Sequence, residues 1–94
     1  MNKEEKIKKE WELVTKIVDV INRYQQKWGN FGLWLRDNSI IYGSAFLVAY
    51  YSDTYFIELY DNQTKYARIN VKSIKAILPE YFVIEQIESD KNDK

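Results

Sequence analysis

Between Lys3 and Trp28 the chain carries neither glycine nor proline, and its apolar residues recur at helical spacing. Ile7, Trp11, Val14, Val18 and Ile21 step by four, three, four and three, while Leu13, Ile17, Val20 and Tyr24 widen the stripe. Gly29 supplies a stop, because glycine takes the left-handed conformation after a helix without steric penalty. The pattern predicts a helix of about 26 residues, roughly 39 Å long at 1.5 Å per residue. That is long for so small a chain. Its charged first turns, Met1 to Glu10, have Ile7 as their strong anchor and are expected to project, to pair with another chain, or to fray in solvent.

From Phe31 onward the period changes from helical to alternating, and runs of aromatic and β-branched residues are separated by short polar turns. "FGLWLR" predicts a first strand, and Asp37 to Ser39 a tight turn. "IIYGSAFLVAYY" predicts a second strand long enough to bend, with Gly43 as the place for a bulge or close approach. Ser52 and Asp53 turn the chain into "TYFIELY", Asp61 to Thr64 turn it into "KYARIN", and "IKAILP" closes on Pro79, which cannot donate to a ladder. The expected fold is α+β and mainly β: an N-terminal helix (1–28) and a five-stranded, strongly bent antiparallel SH3-like small barrel (31–79). Residues 80–87 are a candidate extra edge element and 88–94 a disordered polar tail. Tyr50 and Tyr51 point to opposite faces, so at most one is expected to be exposed.

Composition narrows the function classes. The 94 residues contain no cysteine and no histidine, which removes disulfides, Cys/His zinc sites, thiol nucleophiles and Ser-His triads. No pair of carboxylates shows the pattern of general acid–base work, so no enzyme and no cofactor is predicted. Fourteen basic and fourteen acidic residues cancel, so a nucleic-acid site would have to be a local patch. "MNKEEKIKKE" is charged where an export signal is apolar, and the run Ile40 to Tyr51 is too short for a membrane helix. A cytoplasmic protein without membrane contact is expected.

Several short motifs between Val20 and Pro79 resemble the Sm-like family, especially its bacterial Hfq branch. Trp34-Leu35 takes the place of the aromatic-Leu pair that ends the family's first strand, and Asp37-Asn38 stands at its turn. Gly43 falls at the strand-two glycine, and Asp53 resembles the Asp that opens strand three. "INVKSIKAILP" is similar to the second motif, although Asn70 and Lys72 replace its tyrosine and histidine. "VINRYQQKWGN" resembles the helix end with its basic rim.

The resemblance implies a homo-oligomeric ring of six or seven subunits that binds single-stranded RNA, U-rich or A-rich, by stacking and local cations. Tyr55 then takes the position of the base-stacking aromatic, Thr54 that of a base-contacting glutamine, and Lys72 that of a phosphate contact. Trp34 stands where a purine stacks on the opposite face, and Arg23 and Lys27, with Gln25 and Gln26 between them, at the rim. Packing offers each a plainer role: Tyr55 as a cross-strand partner, Trp34 as a buried residue, Lys72 as a solvated turn lysine. The competing functional class is a protein-binding, scaffolding adaptor that binds no nucleic acid. It would use the N-terminal helix and aromatics such as Tyr50, Tyr51 and Tyr60 at an interface.

Overall fold

The computed structural model describes residues 2–79. In chain order it contains helix α1 (Lys3–Trp28) and strands β1 (Phe31–Leu35), β2 (Ile40–Gly43), β3 (Ala45–Tyr51), β4 (Thr54–Asp61), β5 (Thr64–Asn70) and β6 (Ile74–Leu78). A single 3-10 turn, Val71–Ser73, joins β5 to β6. The expectations for residues 80–87 and 88–94 lie outside the described residues.

Both ends of α1 are capped by local chemistry. The Asn2 side chain accepts a hydrogen bond from the Glu5 N–H at 2.9 Å, and Glu4 and Glu5 complement the positive end of the helix dipole. Gly29 takes the left-handed conformation at φ 81° and donates its N–H to the Gln25 carbonyl at 2.8 Å. The face turned to the core is the row Glu10, Val14, Ile17 and Ile21. Trp11, expected in that row, is 49% exposed, and Leu13 is exposed too. One residue rotates a helix by about 100°. Aligning the row on Glu10 therefore swings Trp11 to the edge of the stripe. The first turns do not simply project: Ile7 is half-buried and the Lys3 ammonium lies 2.9 Å from the Asp53 carboxylate.

The strands form two three-stranded antiparallel sheets, ordered β2-β1-β6 and β3-β4-β5. The run Ile40 to Tyr51, expected as one bent strand, breaks at Ser44 into two strands that belong to different sheets. Among the described residues six strands result instead of five, and the two sheets form no closed barrel. The break follows from close approach at Gly43. A Cβ there would sit 3.0 Å from a Leu59 methyl and 3.3 Å from the Phe31 ring. With glycine there the sheets meet without displacing these side chains, whereas a Cβ would require them to give by a few tenths of an ångström.

The hairpin turns are tight and contain no glycine. Ser52-Asp53 and Asn62-Gln63 all have positive φ, between 49° and 70°. That is the pattern of the type I′ turn, whose twist matches the flanking strands. The core between the sheets and α1 is Val14, Ile17, Ile21, Phe31, Leu33, Ile57, Leu59, Ile69, Val71 and Ile74. Each side chain of this kind contributes about 1.5–3 kcal/mol by leaving water.

Candidate functional site

The seam between α1 and β4 is built around one carboxylate. Glu10 is 4% exposed, on the row of α1 that meets the core. Its Oε1 accepts the backbone N–H of Tyr55 at 2.9 Å, and its Oε2 lies 3.9 Å from the Lys72 ammonium. That Oε2 is buried and accepts no hydrogen bond among the described residues. The Tyr55 ring, half-buried, packs between Trp11 at 5.4 Å and its cross-strand neighbour Tyr50 at 4.7 Å, centroid to centroid.

Tyr55 and Lys72, predicted to share a site, are thus brought together, through a residue that the strand motifs do not contain. Glu10 could have been found in the sequence: it precedes Val14, Ile17 and Ile21 by four, seven and eleven positions. The residue type argued against it, since glutamate is almost never buried without a partner. The partner is Lys72, more than sixty positions away. An anion approaching Lys72 meets the Glu10 charge beside it, which opposes a phosphate contact.

The other predicted residues lie elsewhere. Thr54 opens β4, where its hydroxyl donates to the Ser52 carbonyl at 3.4 Å. Trp34 is half-buried on β1 in the other sheet, with the Lys75 ammonium 4.1 Å from its ring centre. Arg23 pairs with Asp19 one helical turn away at 3.2 Å, and Lys27 sits 4.8 Å from the Trp28 ring. Gln25 donates to the Ser44 carbonyl at 2.7 Å and so ties the helix end to the break between the sheets. Gln26 is exposed.

Two further clusters shape the electrostatics. Asp53 accepts from the Lys3 ammonium and from the Tyr50 hydroxyl (3.0 Å), which together hold its carboxyl below the ordinary aspartate range. Partial burial and that hydrogen bond push the Tyr50 phenol up. On the sheet face away from α1, Glu58 is 4% exposed beneath Lys65 (2.9 Å), Arg68 (3.1 Å) and the Tyr60 hydroxyl (3.1 Å). The hydrogen bond from Lys65 is the largest cause that lowers its carboxyl, with Tyr60 and Arg68 adding to it against the opposing effect of burial. The Arg68 guanidinium in turn lies 4.5 Å from the Tyr51 ring centre. Both buried carboxylates face cations, which suits structural ion pairs better than acid–base catalysis.

The surface beside this seam is apolar. Along β3, Leu47, Val48, Tyr50 and Tyr51 are all exposed, and Trp11 stands next to them on α1. A groove lined by Trp11, Val14, Val18 and Val48, with the polar Thr15, Asp19 and Asn22 also on it, runs between helix and strand. The exposure of both Tyr50 and Tyr51 corrects the expectation that one would be covered. They do point to opposite faces, but β3 is an edge strand among the described residues, and both rings stay exposed there, at 44% and 47%. No helix among the described residues is long and apolar enough to cross a membrane. No protein-family model, curated protein or solved structure matches this chain.

Proposed function

We propose that this chain is a non-catalytic protein-interaction module whose recognition surface is the β3 edge with the adjoining face of α1. The observation that carries this reading is the uncharged strand "AFLVAYY", on which Leu47, Val48, Tyr50 and Tyr51 are solvent-exposed. Aromatic side chains of this kind, with few charges, mark interface centres. At the other candidate site, in contrast, the Glu10 carboxylate accepts the Tyr55 backbone N–H and stands 3.9 Å from the Lys72 ammonium, where it opposes an incoming anion.

The strand order also supports an open, Sm-like arrangement, without closure into a barrel. Taking Ile40 to Tyr51 as one strand bent at Ser44 gives the order β6-β1-β2/β3-β4-β5, with a 3-10 turn before the last strand. This places β6 and β5 at the two ends, where a ring of six or seven copies would pair them between neighbours.

A second reading, single-stranded RNA, draws support from the juxtaposition of Tyr55, Lys72 and the exposed Trp11. It requires a phosphate to draw Lys72 away from Glu10. Titration of the purified protein with U-rich and A-rich oligonucleotides separates the two readings. No saturable binding up to about 100 μM, together with a protein-like 260/280 nm absorbance ratio, is expected. Low-micromolar binding that Tyr55→Ala removes, with the fold intact by circular dichroism, would overturn the interaction-module reading in favour of RNA.

A further inference from the structure

Resting on the interaction-module reading, we propose that the partner at the β3 edge is a second copy of this chain, bound by antiparallel pairing of β3 with its own two-fold mate about Val48.

Three observations carry this. First, among the described residues β3 is an unprotected edge. It pairs with β4 through all seven residues without a register shift, its other side meets no described strand, and it contains no charge, proline or glycine. Free edges in stable proteins are ordinarily blunted by lysine, proline, bulges or a covering element. β5 follows that rule, with Lys65 and Arg68 along it and a bulge opposite Leu59/Tyr60. β6 carries Lys75.

Second, the strand is self-complementary. Antiparallel pairing centred on Val48 sets Leu47 opposite the partner's Ala49 and Tyr51 opposite the partner's Ala45, so large residues on the outer face meet small ones. On the face toward α1, Phe46 meets the partner's Tyr50, an aromatic pair at cross-strand distance. No charge meets a like charge. Shifting the register by two residues loses this alternation and shortens the ladder.

Third, the two-fold axis leaves both α1 helices on one side of a continuous sheet, β5-β4-β3 followed by the partner's β3-β4-β5. The groove of Trp11, Val18 and Val48 then faces the partner instead of water. An isologous contact of this kind closes on itself and leaves β3 with no edge to propagate an aggregate.

Two variants of the 94-residue chain, with a third as control, test this. The chain has no native cysteine, so Val48→Cys introduces a single thiol on the two-fold axis. Diamide, which takes up the two thiol hydrogens, should convert it to a disulfide-linked dimer, while Thr64→Cys on β5 stays uncrosslinked under the same conditions. Val48→Lys, at a position already 37% exposed, should keep its circular dichroism and fall to half the wild-type mass by light scattering. A wild-type protein that is monomeric at 100 μM overturns the proposal. So does a dimer or larger assembly in which Val48→Cys stays unlinked and Val48→Lys leaves the mass unchanged. In that last case self-association through another edge would stand, and the interaction-module reading with it. A monomer that binds RNA oligonucleotides would end both.

Discussion

The carboxylate of Glu10 accepts the backbone N–H of Tyr55 at 2.9 Å, across 45 positions of the sequence. This bond joins the long helix to the central strand of its sheet, and it gives a partner to a partly buried N–H.

Replacing Glu10 with alanine is therefore expected to lower stability by about 1–3 kcal/mol, because a partly buried donor loses its partner. Urea denaturation measures it. Lys72→Ala should cost less, since Lys72 is half-exposed, and a double-mutant cycle should give a Glu10–Lys72 coupling of about 0.2–1 kcal/mol. A coupling of zero would show that the 3.9 Å approach carries no energy.

Acid should weaken the fold through Glu58. Its carboxyl is held below the ordinary glutamate value of 4.5, chiefly by Lys65. A depressed carboxylate contributes stability that is fully present above its unfolded value and lost as pH falls through its folded value. The urea midpoint should thus fall as pH drops below about 4.5, and Glu58→Gln should flatten that part of the profile while lowering the plateau at neutral pH. Asp53, also depressed, adds to the fall and remains in the variant.

Gly43→Ala should destabilise the protein by about 1–3 kcal/mol through overpacking. The new methyl meets Leu59, the Phe31 ring and the Tyr66 hydroxyl at 3.0–3.3 Å. Thermal denaturation reads the loss. A Tm unchanged from wild type would mean that the sheets can part there without cost.

The turn at Asn62-Gln63 offers a gain. Gln63 has φ 70°, which strains any residue with a Cβ, and Asn-Gly is the preferred pair for this turn type. Gln63→Gly is expected to stabilise by about 0.5–1 kcal/mol, after allowing for the extra freedom of glycine in the unfolded chain. The urea midpoint should rise accordingly.

Much of this was legible in the sequence, for identifiable reasons. The absence of Gly and Pro up to Trp28, followed by Gly29, marked the helix to the residue. Short polar stretches between β-branched runs marked the three hairpin turns. The break at Ser44 was not legible as a change of sheet, because a bent strand and two short strands have the same alternation. Burial of Glu10 was hidden because its partners, Tyr55 and Lys72, lie far along the chain. The exposure of Tyr50 and Tyr51 together was hidden because alternation assigns faces but does not say which elements cover them.

The β1–β6 ladder has a kinetic consequence. It pairs Leu35 with Ile74, closing a loop of roughly forty residues, whereas β3, β4 and β5 meet through two-residue turns. Chain entropy thus favours the β3-β4-β5 meander as the part that assembles early, with β6 arriving last against β1. In pulse-labelled hydrogen exchange, amides of Ile57 and Leu59 should gain protection before those of Leu33 and Ile77. During that interval β1 and β2 lack their closing neighbour, and the uncharged β3 edge is already formed and open to other chains. Refolding yield should therefore fall steeply with protein concentration, more so for wild type than for Val48→Lys.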